Sequence, residues 1–175
     1  MLKDLDQLNI FSKNVELVNG VFVNDFSDEE VDDDKIQTNA AFSTKWAALK
    51  ENDNDNESWK NFGKEWYLKL YGFENEDNLK SFLSEKALVI DAGCGKGYKA
   101  AWFAKLSPNS SVIGVDFSTS VFEAADRYKD IENLYFIRSD IANLPLNESC
   151  ADFINCDQVI HHTSNPPKTL KEFRR

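Results

Sequence analysis

Four short apolar runs, each ending on an aspartate and each followed by a turn or a helical pattern, constrain the second half of this chain most. They are "ALVID" (87–91), "SVIGVD" (111–116), "LYFIRSD" (134–140) and "ADFINCD" (151–157). Continuous apolar runs of this length read as strands buried on both faces, which is the signature of a mainly parallel sheet. Helical patterns lie between and after them: from about Lys99 to Leu106, across "STSVFEAADRYKD", and from "PPKTLKEFRR". Ser118 or Thr119 is expected to cap the second of these helices, and Pro166 or Pro167 suits the first turn of the last. Alternating strands and helices predict an α/β sandwich of three layers with right-handed crossovers.

The turn after the first run is "AGCGKG", with Gly93, Gly95 and Gly97 at alternate positions. Glycines let a ligand approach the main chain, and the helix that follows offers free N–H groups and a positive dipole end. The spacing departs from the dinucleotide fingerprint G-x-G-x-x-G, because the third glycine arrives one residue early. Asp116 follows Gly93 by 23 residues and ends the second strand, where a carboxylate accepts from ribose hydroxyls. Asp91, Asp116, Asp140 and Asp157 thus end four successive strands. In an open parallel sheet, ligands bind outside those ends. So many acids suit a ligand with a ribose, an amine and a positive charge better than a phosphate-rich one. The competing reading of each single aspartate is a helix cap.

The first half differs. "DFSDEEVDDDK" and "ENDNDNES" read as solvated acidic loops, and "VELVNGVFVNDF" as a small hairpin about Asn19-Gly20. "TNAAFSTKWAALK" has helical spacing, with Thr38 or Asn39 as its cap and Phe42, Trp46 and Leu49 on one face. "ESWKNFGKEWYLKLYGF" predicts a helix ended by Gly72, with Trp59, Phe62, Trp66 and Leu70 as a stripe packed in the core. A further helix is expected over Glu76–Lys86. Residues 1–58 are therefore read as an N-terminal extension and 59–175 as the ligand-binding domain.

Charge and composition exclude several classes. The formal net charge of −10 opposes bulk nucleic-acid binding. No stretch reaches the roughly 18 to 20 apolar residues of a membrane span. Three cysteines and two histidines give neither a disulfide framework nor a metal site, so a reduced cytoplasmic setting is expected. Cys94 and Cys156 read as small buried fillers, and Lys96 as exposed on the turn.

Taken in order, these motifs resemble the N-terminal portion of a class I S-adenosylmethionine-dependent methyltransferase of the type 11 methyltransferase domain. "VIDAGCGKG" resembles the family's first motif, "VIGVDFS" its second, and "RSDIANLPLNESCADFINCDQVIHH" its third and fourth region. The resemblance covers roughly residues 60–173. It implies a Rossmann-like sandwich with S-adenosyl-L-methionine as cofactor and a small-molecule methyl acceptor. By this resemblance Asp91 and the Gly93–Gly97 loop face the methionine part, Asp116 holds the ribose, and Phe117 lies against the adenine. Asp140 and Ile141 contact the adenine ring, and Asp157 sits beside the methionine end or the acceptor. "FSTKW" and the segment around Trp66 resemble segments that close over the cofactor. Transfer of a sulfonium methyl is chiefly a matter of proximity and orientation. Where a base is needed, His161 and His162 are the histidine candidates, against a structural role at a helix start.

Family members continue beyond "TLKEFRR" with three more strands in the order 3-2-1-4-5-7-6. The resemblance therefore implies a partial parallel sheet, 3-2-1-4, truncated after its fourth strand, with the acceptor half mostly missing. A homodimer or a second chain is then expected along the exposed fourth strand. The alternative function is a non-catalytic cofactor-binding or pairing subunit. A nicotinamide oxidoreductase ranks lower on the glycine spacing.

Overall fold

The computed structural model describes residues 9–24 and 57–175, with side chains from Phe62 onward in the second stretch. The expected acidic loops and the helix carrying Phe42, Trp46 and Leu49, with "FSTKW", lie outside the described residues. Six strands form one sheet: β1 (Val15–Val18), β2 (Val21–Asn24), β3 (Leu88–Ala92), β4 (Ser111–Asp116), β5 (Leu134–Arg138) and β6 (Phe153–Asn155). Among the described residues, five α-helices accompany them: α1 (Glu57–Tyr71), α2 (Glu76–Ser84), α3 (Tyr98–Leu106), α4 (Ser120–Arg127) and α5 (Pro166–Phe173).

The strand order is β1-β2-β5-β4-β3-β6. This corrects the expected four-stranded sheet to six. The N-terminal hairpin adds two strands beside β5, which is therefore internal. Asn19 and Gly20 both have positive φ, 48° and 79°, as a two-residue hairpin turn requires. β2 then runs parallel to β5, with Phe22 opposite Ile137, while β1 is antiparallel to β2. The sheet is mixed, with β6 at its other edge.

Period-two alternation divides the apolar strand residues between two faces. Val89, Val112, Leu134 and Phe136 join Tyr67 of α1, Leu79 and Leu83 of α2, Phe103 of α3 and Val121 of α4. Ile90, Ile113, Val115, Tyr135 and Ile137 face the opposite way. That second layer consists of Ile10, Ile141, Leu144 and Leu146, with Phe173 of α5 packed against it. Among the described residues, one face is thus covered by helices and the other largely by irregular chain.

Local signals explain most boundaries. α1 ends where Gly72 takes φ +76°, and Phe73 N–H donates to Leu68 O at 2.9 Å, a glycine-terminated helix end. Asn165 caps α5 by accepting from Lys168 N–H at 3.0 Å, with proline in the first turn. Of the expected Ser118 or Thr119 cap of α4, the position falls on Thr119 and only the capping bond is corrected. Thr119 holds the cap position without a side-chain bond, and Ser118 instead donates to Asp116.

The aromatic stripe of α1 is also corrected. Phe62, Trp66 and Leu70 are 59%, 54% and 49% exposed, whereas Tyr67 is 1% exposed. Trp66 and Tyr67 are consecutive, about 100° apart around the helix, and the sheet receives the phenol-bearing face.

Phe136 is the ring on which two glycines close: a Cβ at Gly114 would approach it to 2.8 Å and one at Gly97 to 3.0 Å. Phe136→Ala should destabilise the chain by about 3–5 kcal/mol, read from denaturant unfolding. A loss under ~1 kcal/mol would show that the ring does not carry this packing.

Candidate functional site

Because β3, β4, β5 and β6 run parallel, their C-terminal ends lie along one side of the sheet. Asp91 lies in β3 and Asp116 ends β4; Asp140 and Asp157 each follow their strands by two residues. The glycine turn fills the gap between β3 and α3. Gly93 N–H and Cys94 N–H both donate to Val115 O, at 2.7 and 3.0 Å. Gly95 N–H donates to Asp116 Oδ2 at 2.7 Å. The turn is therefore fastened to the end of β4 by main chain and by one carboxylate.

Glycine is required sterically at Gly93. Its φ is +79°, and a Cβ there would lie 2.4 Å from Val159 Cγ1. Val159 reaches this position because Gln158 before it takes a left-handed φ of 61°. Gly95 and Gly97 also have positive φ, and Gly97 occupies the cap position of α3 without any side-chain cap. Lys96 is corrected from exposed to buried, at 6%.

Asp116 uses its other oxygen locally: Oδ1 accepts from Ser118 N–H at 2.9 Å and from Ser118 Oγ at 2.6 Å. Asp116 thus organises two loops at once, and Phe117, half-buried, follows it, its carbonyl accepting from Arg138 Nε at 3.3 Å. Asp140 accepts from Ala142 N–H at 2.9 Å and is half-buried. The Ile141 side chain is buried in the second core layer, beneath this loop.

The β3 and β6 ends carry the site's buried polarity. Asp91 is 3% exposed, and its Oδ1 accepts from Asn155 Nδ2 at 2.7 Å. Asn155 Oδ1 accepts from Tyr67 Oη at 3.0 Å. Asp91 Oδ2 is buried with no hydrogen-bond partner among the described residues. Burial pushes the Asp91 carboxyl above the usual carboxylate range; Lys99, the Asn155 bond and the backbone N–H of Ala100 oppose this without cancelling it. Asp157, with a side chain 6% exposed, is engaged differently. It pairs with Lys99 Nζ and accepts from Tyr71 Oη at 2.8 Å. Burial, with the Asp157 bond and charge, pushes Tyr71 up to about 12.

His161 and His162 form a short 3-10 turn after β6, both exposed, with ring centroids 4.0 Å apart. Burial raises the Cys94 thiol, and burial with the Asp91 charge pushes Cys156 up to about 11. Both stay protonated at neutral pH and are poor nucleophiles.

The sequence-based set is brought to one end of the sheet. Tyr67, Tyr71, Lys99 and Asn155 were not singled out there. Tyr67 and Tyr71 are four apart on one face of α1, a spacing visible in the sequence. The larger aromatics of the other face mask it.

A family model described as a methyltransferase domain matches residues 83–175, which contain the glycine turn and all four strand-end aspartates. The chain belongs to the methyltransferase-domain family. Its curated relatives include an uncharacterized 37.1 kDa transposon protein of Streptomyces fradiae, 38% identical over 50% of this chain and 26% of that protein. A malonyl-[acyl-carrier protein] O-methyltransferase of Bacillus cereus is 37% identical over 41% of this chain and 27% of its own. A ubiquinone biosynthesis O-methyltransferase of Candida albicans is 31% identical over 57% and 32%. The chain thus spans between about a quarter and a third of the length of these relatives. Among solved structures, a SAM-dependent methyltransferase of Aquifex aeolicus superposes with TM-score 0.57 at 23% identity, covering 76% of this chain and 65% of the other. At that identity the likeness establishes the Rossmann-like fold of the methyltransferase domain. No helix among the described residues is long and apolar enough to cross a membrane.

The raised carboxyl of Asp91 sets a pH test. The folded state holds this proton at pH values where the unfolded chain has released it. Stability therefore falls as pH rises from the unfolded value through the folded one. Asp91→Asn keeps an acceptor for Asn155 and removes the buried charge. It should raise Tm at pH 7, with the difference from the parent shrinking as pH falls toward the ordinary carboxylate range. Parallel melting curves that never converge at low pH would refute this.

Proposed function

We propose that this methyltransferase domain binds S-adenosylmethionine at the C-terminal ends of β3, β4, β5 and β6. We further propose that it is the cofactor-binding part of an enzyme that methylates a small molecule. The observation that carries the reading is the unpartnered, buried Asp91 Oδ2 beside a glycine turn fastened to Asp116. A dry, unpaired carboxylate oxygen costs stability, and an ammonium donor from the cofactor's amino-acid end would satisfy it. The residues present thus fit the group. When bound, S-adenosylmethionine supplies an electrophilic methyl on a sulfonium.

The chain's own part is to bind and orient. Gly93, Gly95 and Gly97 let the main chain come close, and the first turn of α3 offers its N–H groups. Asp116 retains one lone pair, on Oδ2, for a ribose hydroxyl beyond those given to Gly95 and Ser118. Asp140 and the main chain at Ile141, with Phe117, form the adenine side. Asp157, held by Lys99 and Tyr71, shapes the methionine end. His161 and His162 stand exposed at the same sheet end as proton acceptors for the methyl acceptor, which is consistent with the O-methyltransferase names of two relatives. The short span of those relatives that this chain matches favours a second reading, a cofactor-binding part that needs further sequence for turnover.

Calorimetric titration with S-adenosylhomocysteine should show binding, with no binding of NADH. Asp116→Ala should weaken it at least about tenfold, since hydrogen bonds to a charged group each contribute about 1.5–3 kcal/mol. A folded, monodisperse chain that binds neither S-adenosylhomocysteine nor S-adenosylmethionine would overturn the reading.

A further inference from the structure

The matched family region begins at residue 83, yet α1, which precedes it, reaches into the site. Tyr67 is fixed there by its neighbours. Its ring centroid lies 4.5 Å from Tyr71 and 5.6 Å from both Trp102 and Phe103, and Lys99 Nζ stands 5.7 Å over it. Its hydroxyl donates to Asn155 Oδ1, and Asn155 Nδ2 donates to Asp91 Oδ1. Asp91 and Asn155 are register partners on β3 and β6, so the two side chains are adjacent by construction of the sheet.

The direction of this chain of bonds matters. An asparagine amide has an acceptor end and a donor end that occupy nearly the same volume. A phenol donating to one end leaves the donor end turned to the carboxylate. Without the phenol, the amide is free to rotate its oxygen against Asp91, where two acceptors repel. The orientation also decides which carboxylate oxygen stays open. Oδ1 is taken, and Oδ2 is the buried atom without a partner. Asp157, the other acid at this end, has one oxygen against Lys99 and the other against Tyr71.

We propose that Tyr67, acting through Asn155, is a positioning residue that presents Asp91 Oδ2 to the ammonium of the cofactor's amino-acid end. This rests on the cofactor reading above, and it extends the site to a helix outside the matched family region. Asp157 has a different task, holding α1 and α3 together through Tyr71 and Lys99.

Charge and pH give the proposal its signature. The groups facing Asp91 are Lys99 from α3, Asp157 and Cys156 after β6, Cys94 in the glycine turn and Tyr67 from α1. Lys99, the Asn155 bond and the backbone N–H of Ala100 favour the ionised carboxylate, while burial and Asp157 oppose it. Loss of a correctly oriented Asn155 removes one of these three supports, so Asp91 should release its proton only at higher pH. The ammonium binds the ionised form. Affinity for an amino-bearing ligand therefore falls as pH drops through the Asp91 value, and it falls sooner when the support is lost.

The test compares two ligands on the full chain and on Tyr67→Phe, which keeps the ring and deletes the donor. S-adenosylhomocysteine carries the amino acid; 5′-methylthioadenosine lacks it. Tyr67→Phe should weaken S-adenosylhomocysteine by about 3–10-fold at pH 7, with a larger loss at lower pH, and change 5′-methylthioadenosine by less than about twofold. In the ligand-free protein, carbon-detected NMR titration of Asp91 should show its midpoint raised in Tyr67→Phe and further in Asn155→Leu. Equal weakening of both ligands, or an unmoved Asp91 midpoint, overturns the proposal. If Asn155→Leu does not fold, Tyr67→Phe decides alone. If the parent binds neither ligand, the cofactor reading fails; the ligand-free titration still shows whether the relay governs Asp91.

Discussion

The fastening of the glycine turn to the end of β4 is the contact on which the site depends. Two consecutive N–H groups share Val115 O, and a third reaches Asp116. Together they set where α3 starts and therefore where its free N–H groups point. The same carboxylate pulls in Ser118 and so sets the start of α4. A turn with three left-handed residues would be costly to order if it hung free. Here the end of β4 supplies partners for three of its N–H groups, and Phe136 fills the space beneath Gly97 that no side chain occupies.

Beside that scaffold the site carries deliberate cost. A carboxylate 3% exposed with one oxygen unbonded opposes folding, and the protein tolerates it by surrounding Asp91 with Asn155 and the charge of Lys99. The neighbouring Asp157 is saturated instead, by an ion pair and a phenol. Two acids at adjacent strand ends thus reach opposite states. One is poised for a donor, and the other is committed to holding helices together. A strand-end aspartate is therefore not one kind of residue, and only its partners decide what it can do.

That contrast marks the limit of what the sequence showed. The four apolar runs and the turn were readable because burial on both faces and positive φ leave direct traces in residue type. The Asn19-Gly20 hairpin was readable for the same reason. Its place beside β5 was not, since nothing local tells a two-stranded hairpin which edge it will join. The outward stripe of α1 failed because Phe62, Trp66 and Leu70 have the same spacing as a core face. Only the sheet's choice of Tyr67 separates them. Lys96 failed similarly, as turn position alone does not reveal that a lysine stem lies buried. The tasks of Asp91 and Asp157 could not be told apart until Tyr67, Tyr71, Lys99 and Asn155 were placed around them.

The N-terminal strap has a consequence in time. Ser12 N–H donates to Pro145 O, Asn147 N–H donates to Ile10 O, and Ser12 Oγ reaches Leu146 O across 134 positions of sequence. β2 likewise has its parallel partner in β5, more than a hundred residues later. During synthesis at ~5–20 residues per second, β2 waits about 6–23 s before the β5 residues it pairs with exist. The loop that follows Asp140 takes its final form only when residues 10–12 meet a segment made more than a hundred residues later. Closure of the sheet on the β2–β5 side is therefore coupled to the length of chain already released.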